Sequence, residues 1–267
     1  MDWVSLADGS VAARGQDQLT EVLRLIRGAD SVEVKLSALD SDSWSAVAAL
    51  GMDPFDVQMC QVVFFDTPDL EVNDHGVVVR FRHARGKPAD SVIRLRPLDL
   101  GHMPAEIRKS RSLGVEVDAT PGGLVCSAAM KAQHDPLQVE ATLAGRWPLR
   151  KLLTGEQRAL FEAYAPAGIS LESLERLGPI DVVQLSFMPC ALGRDLVAEL
   201  WSYPDGSRIL ELSTTCRAAD AFEVAAETTA FLAGRGIDLS ALQQIKTTTA
   251  MQLFAAELQA KAAAAGR

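Results

Sequence analysis

Four arginines stand on two short segments where each pair can reach one ligand. In Val77-Val78-Val79-Arg80-Phe81-Arg82, and again in Val92-Ile93-Arg94-Leu95-Arg96, arginine alternates with apolar residues. Strand side chains repeat with a period of two, so Arg80 and Arg82 share a face, and so do Arg94 and Arg96. The linker contains Gly86-Lys87-Pro88 and is short enough for a hairpin, which makes the strands antiparallel neighbours. Four guanidinium groups then crowd one side of one sheet. Like charges on adjacent strands destabilise a sheet, so the arrangement calls for a counter-charge. Arginine is suited to bidentate contact with phosphate. An ordinary solvated strand face shows the same alternation, so the remaining chain has to discriminate.

Carboxylates repeat the pattern elsewhere. Glu33 and Lys35 alternate with Val32, Val34 and Leu36. Glu116 and Asp118 oppose Val115 and Val117, while Glu199 and Glu211 face away from Leu200, Leu210 and Leu212. An open sheet would leave these groups in water. A sheet closed on itself would gather both signs in one lumen, arginines for phosphate oxygens and carboxylates for hard cations.

The elements that position these residues follow in order. A short amphipathic helix is expected over Asp17 to Arg27, then a strand over Ser31 to Leu36 and a helix over Ser43 to Leu50. A strand over Gln61 to Phe65 ends at the Asp66-Thr67-Pro68-Asp69-Leu70 turn and leads into the arginine hairpin. Leu113 to Asp118 is the next strand, broken by Pro121-Gly122-Gly123, and residues 124–178 read as mostly helical. Thr154-Gly155-Glu156-Gln157 has the form of a capping box. Strands over Asp181 to Phe187, Asp195 to Trp201 and Arg208 to Thr214 follow, the last two joined by the Tyr203-Pro204-Asp205-Gly206-Ser207 turn. The tail reads as two helices, Ala219 to Ala233 and a Ser240-capped one running to about Ala260.

Composition narrows the partners. The chain has 267 residues, 48% of them hydrophobic, enough to bury a full core. A net charge of -9 leaves no global basic field, which argues against a duplex nucleic-acid binder. Cys60, Cys126, Cys190 and Cys216 lack C-x-x-C spacing, so neither a zinc site nor a disulfide framework is indicated. With no long apolar run and no signal pattern in MDWVSLADGS, a cytoplasmic protein with no membrane partner is expected.

The series EVKL, FFDTPDL, VVVRFR, IRLRP and ELWSYPDGSRILELS resembles the CYTH family, the triphosphate tunnel metalloenzymes, across roughly residues 30–250. That resemblance implies an α+β fold, an eight-stranded antiparallel β-tunnel with a helical insertion and C-terminal helices. Its domains would be a lead-in over 1–29, a tunnel over 30–250 with the insertion at about 125–178, and a helix end with a frayed tail over 251–267. Lys35, Arg80, Arg82, Arg94 and Arg96 would bind the phosphates of a small-molecule triphosphate or polyphosphate. Glu33, Glu116, Asp118 and Glu211 would hold Mg²⁺ or Mn²⁺, one or two ions, and Glu199 would orient the attacking water. The implied activity is metal-dependent triphosphate hydrolysis; a non-catalytic polyphosphate-binding module and an adenylate cyclase are the alternatives. The chain departs from the family pattern at Ser31 and Ser213, where glutamates are expected, and at Gln184 and Ser186, where Lys or Arg is common. Fewer carboxylates mean weaker cation binding.

Overall fold

Nine strands are found among the described residues, and the sheet they form closes on itself. The computed structural model describes residues 25–26, 28–39, 43–53, 55–84, 87–237, 239 and 246–265. The strands are β1 (Ser31–Leu39), β2 (Gln58–Asp66), β3 (Val77–Ala84), β4 (Ala89–Leu95), β5 (Leu113–Thr120), β6 (Gly123–His134), β7 (Glu175–Phe187), β8 (Leu196–Ser202) and β9 (Arg208–Cys216). Around the barrel they run β1-β5-β6-β4-β3-β2-β7-β8-β9, and β9 returns to β1. All neighbours are antiparallel except β1 and β5, which lie parallel with Glu33 beside Asp118. The expected α+β tunnel is therefore present with nine strands instead of eight and one parallel seam.

Eight α-helices are described: α1 (Ser43–Ala49), α2 (Glu71–Asp74), α3 (Ala105–Arg108), α4 (Pro136–Leu143), α5 (Leu149–Leu152), α6 (Gly155–Tyr164), α7 (Ala221–Gly234) and α8 (Lys246–Ala265). The helix expected over residues 17–27 lies outside the described residues except for Leu25 and Ile26, and Ser240 lies outside them too. Among the described residues no helix is long and apolar enough to cross a membrane.

The barrel is inside-out compared with one whose lumen is packed with apolar side chains. Strand residues facing outward are mostly apolar, and helices cover them. Val79, Phe81, Ile93, Leu95 and Met130 pack under Val139, Leu152, Leu160 and Phe161 of α4 to α6. Val32, Val34 and Val117 pack under Val224 of α7, and Leu210 and Leu212 lie in one cluster with Ala46 and Leu232. Each fully buried side chain of this size is worth about 1.5–3 kcal/mol. External helices are what allow the lumen to stay polar.

Residues 123–134 correct the reading of 124–178 as mostly helical. Leu124-Val125-Cys126-Ser127-Ala128-Ala129-Met130 lacks charged alternation and is rich in alanine, a helix former. Hydrogen bonding to β4 on one side and β5 on the other imposes the strand, which tertiary pairing does readily against weak propensity. Further on, Leu171–Ser173 is a single 3₁₀ turn before β7 begins at Glu175. The capping box at Thr154 is present, with the Thr154 and Gln157 side chains each accepting from the other's backbone N–H. Gln157 also donates to the carbonyls of Ser91 and Met130, tying α6 to β4 and β6.

Candidate functional site

Register places the charged side chains on one wall. Arg80 pairs with Phe64 on β2 and Val92 on β4; Arg82 pairs with Val62 and Asp90; Arg94 pairs with Val78 and Ala129. Cross-strand partners share a face, so these residues all look into the lumen. The arginines are staggered, each opposite an apolar residue or an acid, and this relieves the repulsion that direct opposition would cause. Gly76 sets the root of the hairpin. Its φ is +75°, its carbonyl accepts from Arg96 N–H at 2.7 Å, and a Cβ there would lie 3.0 Å from the Arg96 carbonyl oxygen.

Glu33, Glu116 and Asp118 converge, each offering an oxygen within 4.8 Å of the others. The parallel seam creates this: β1 and β5 run side by side with Glu33 opposite Asp118 and Ser31 opposite Glu116. Lys35 Nζ lies 2.5 Å from Asp118 Oδ1 and 2.9 Å from Glu33 Oε2. Arg94 approaches Glu116 at 3.4 Å, and Arg96 Nε approaches Asp118 Oδ2 at 3.3 Å. Burial and then the neighbouring Glu33 raise the Glu116 pKa. Burial also pushes Asp118 upward, but Lys35 and Arg96 outweigh it and leave its carboxyl below the ordinary value. Burial pulls the Lys35 ammonium down, and Glu33, Asp118 and Glu211 more than restore it. The donor set is all oxygen, which suits a hard divalent cation. Asp118 Oδ2 is buried with no hydrogen-bond partner among the described residues, so a coordinating lone pair is available.

Glu199 and Glu211 form a separate group. They are direct partners across β8 and β9, 9% and 8% exposed. Glu199 Oε1 accepts from Arg82 Nη1 at 2.9 Å, and its Oε2 accepts from Trp201 Nε1 at 3.2 Å and from Lys246. Lys246 Nζ also reaches Glu211 Oε1 at 2.5 Å. Gln184 accepts from Arg82 Nη2 at 3.0 Å, and Cys60 Sγ accepts at 3.1 Å. Burial pushes the Glu199 pKa up, yet Lys246 and Arg82 hold it well below the usual carboxylate range.

Arg80 is the exception in this wall. Its contact with Asp90 is long, 3.9 Å, and its Nε is buried with no hydrogen-bond partner among the described residues. Burial, then the Arg94 charge, lowers its pKa.

One end of the lumen is closed. Phe64, Val62, Ile180, Val182, Trp201 and Ile209, all on the lumen face, pack with Ala250, Met251 and Phe254 of α8. Gly178 lets α8 approach: its φ is +105°, and a Cβ would sit 3.3 Å from the Val62 carbonyl and 3.5 Å from the Phe254 ring. Two cavities of about 360 and 220 Å³ lie outside the lumen, lined mainly by outward-facing β7 to β9 residues and by the loop after α6, respectively, without any of the acidic trio or the arginine row.

The expected site residues thus share one lumen, in two groups. Glu33, Glu116 and Asp118 come together with Lys35, Arg94 and Arg96, whereas Glu211 joins Glu199 and Arg82. Lys246 escaped the sequence reading, because a lone lysine ahead of an alanine-rich helix carries no periodic signal. Trp201 packs against Phe64 and also donates to Glu199.

No protein-family model and no curated protein matches the sequence. Solved structures do match its fold. A Bacillus halodurans protein described as a candidate adenylate cyclase superposes with a TM-score of 0.56 at 12% identity, covering 81% of this chain and 96% of its own. A candidate adenylyl cyclase from Hippeastrum, described as having a dominant triphosphatase activity, gives a TM-score of 0.55 at 18% identity, covering 79% and 91%. The chain has the tunnel fold of these proteins, the CYTH-like architecture that its motif series implied.

Proposed function

We propose that the lumen binds the phosphates of a small-molecule triphosphate and hydrolyses a terminal anhydride with the aid of a divalent cation. The observation that carries this reading is Arg80, a half-buried guanidinium whose Nε is buried and orphaned and whose ion-pair contact among the described residues is a distant acid. A partly desolvated cation beside Arg82 and Arg94 is costly unless an anion completes it. Glu33, Glu116 and Asp118 would hold Mg²⁺ or Mn²⁺ nearby, and the bound ion would neutralise phosphate oxygens as a Lewis acid. Arg94 and Arg96 contact the acids, and the Arg94 charge also acts on Arg80, so these arginines can exchange carboxylate for phosphate as the ligand enters. Phosphoryl transfer of this kind rests on positioning and charge neutralisation. Glu199 is saturated by Arg82, Trp201 and Lys246. We assign it the positioning of Arg82 in place of the expected orientation of water.

A second reading, a polyphosphate-binding module without turnover, draws on the pairing of the acidic trio with Lys35, Arg94 and Arg96. Cyclase activity has less support. The lumen aromatics Phe64 and Trp201 are buried beneath α8, where they cannot stack on a base. Calorimetric titration with tripolyphosphate, followed by a phosphate-release assay with Mg²⁺ or Mn²⁺, tests the proposal. Binding with metal-dependent release is expected. Binding without release would favour the module, and absence of binding would refute the lumen assignment.

A further inference from the structure

The geometry points to Lys246 as a built-in cation that occupies the place between Glu199 and Glu211, so that this chain takes one divalent ion, at Glu33, Glu116 and Asp118, and no second. This rests on the proposed function only for the identity of the single metal site. Two carboxylates side by side across a strand pair, each less than a tenth exposed, cannot both stay ionised without a counter-charge. A divalent ion is one solution, and the resemblance leaves room for two ions. Here the ammonium of Lys246 bridges both carboxylates and lies 5.1 Å from the centre of the Trp201 ring. Arg82 supplies the second positive charge to the pair. A divalent ion added between them would meet two cations already in contact with its ligands.

Lys246 is held at this point by its own element. The Tyr203 hydroxyl donates to the Lys246 carbonyl at 3.1 Å, and the next turns of α8 are seated by the buried Ala250, Met251 and Phe254. The neighbouring sequence agrees. Ser213, where the resemblance predicts a glutamate, lies on the lumen face opposite Lys35 and Val197 and offers no charge to a second ion. The helix that closes the tunnel is thereby also a contributor to its electrostatics.

The test counts bound Mn²⁺ on the full chain by loss of the free-ion electron paramagnetic resonance signal, with far-ultraviolet circular dichroism as the fold control. The wild type is expected to bind one ion. Lys246→Met should bind two, and Lys246→Gln serves as the second variant should the first fail to fold. Adding Glu116→Gln should lower each count by one. Two ions on the wild type, or an unchanged count in both Lys246 variants, would overturn the inference. So would a single wild-type ion that survives Glu116→Gln but is lost in Glu199→Gln. No ion on the wild type but one on Lys246→Met would sustain the role of Lys246 while removing Glu33, Glu116 and Asp118 as a cation site.

Discussion

Arg80 and Arg82 are neighbours on one strand face, yet their removal should move stability in opposite directions. Arg82 holds Glu199 at 2.9 Å, Gln184 at 3.0 Å and Cys60 at 3.1 Å. Breaking a buried pair by removing one partner costs about 3–5 kcal/mol. Lys246 still holds Glu199 in Arg82→Met, so a loss of about 2 kcal/mol is expected from the same principle. Among the described residues Arg80 has the single 3.9 Å ion-pair approach to Asp90, and burial and Arg94 both work against its charge. Arg80→Met exchanges that charge for an apolar side chain of similar length, a change that is often neutral or stabilising, here by about 1 kcal/mol. For a domain of this size that is a rise in Tm of about 2–4 °C, against a fall roughly twice as large for Arg82→Met. Binding should respond differently. Losing a charge-assisted contact worth about 1.5–3 kcal/mol weakens tripolyphosphate affinity about 10- to 100-fold in Arg80→Met. Thermal denaturation and calorimetry on the same preparations read both quantities. If Arg80→Met destabilised the fold as much as Arg82→Met, or bound tripolyphosphate like the wild type, Arg80 would be a structural residue and the reasoning would be wrong.

Other consequences concern residues with distinct duties. The Glu199 pKa lies below its unfolded value of 4.5, so the carboxylate stabilises the fold above that pH and the contribution fades as pH falls through the folded value. The stability gap between wild type and Glu199→Gln, measured by urea unfolding, should be widest near pH 7 and shrink below about pH 4.5; a gap that widened with acid would contradict the ion-pair assignment. Asp66, fully buried, accepts from the backbone N–H groups of Thr67, Val72 and Asn73 at 2.7, 3.0 and 2.9 Å. Asp66→Ala should therefore lose about 3 kcal/mol of stability with tripolyphosphate affinity unchanged, a result that would separate this motif residue from the ligand site. Phe254→Ala should cost about 3 kcal/mol by leaving a cavity beneath the tunnel floor, and a neutral outcome in thermal denaturation would show that α8 is not seated as described.

Much of the arginine wall was legible because β3 and β4 alternate cleanly. Val79, Phe81 and Ile93 pack outward while Arg80, Arg82 and Arg94 turn inward, as period two requires. The turn at Tyr203 to Ser207 and the capping box at Thr154 were legible for the same reason, since both depend on residues a few positions apart. β6 was not legible. Its lumen-facing Ser127 and Ala129 are small and uncharged, so no alternation marks them, and its state is decided by two neighbours distant in the chain.

Local pattern in the chain reveals which side chains share a strand face, and that arginines and carboxylates recur on faces that a wholly solvated sheet would waste. How those faces divide the work depends on contacts between elements distant in the chain. The parallel seam between β1 and β5 gathers Glu33, Glu116 and Asp118 and leaves Glu211 to Glu199. α8 then brings Lys246, 35 residues beyond Glu211 in the chain, into contact with both of that pair. Charge interactions act through space with no memory of sequence separation, and burial strengthens them by removing the water that would screen them. No spacing rule could have announced that contact, because it exists only once a helix has closed the end of the barrel.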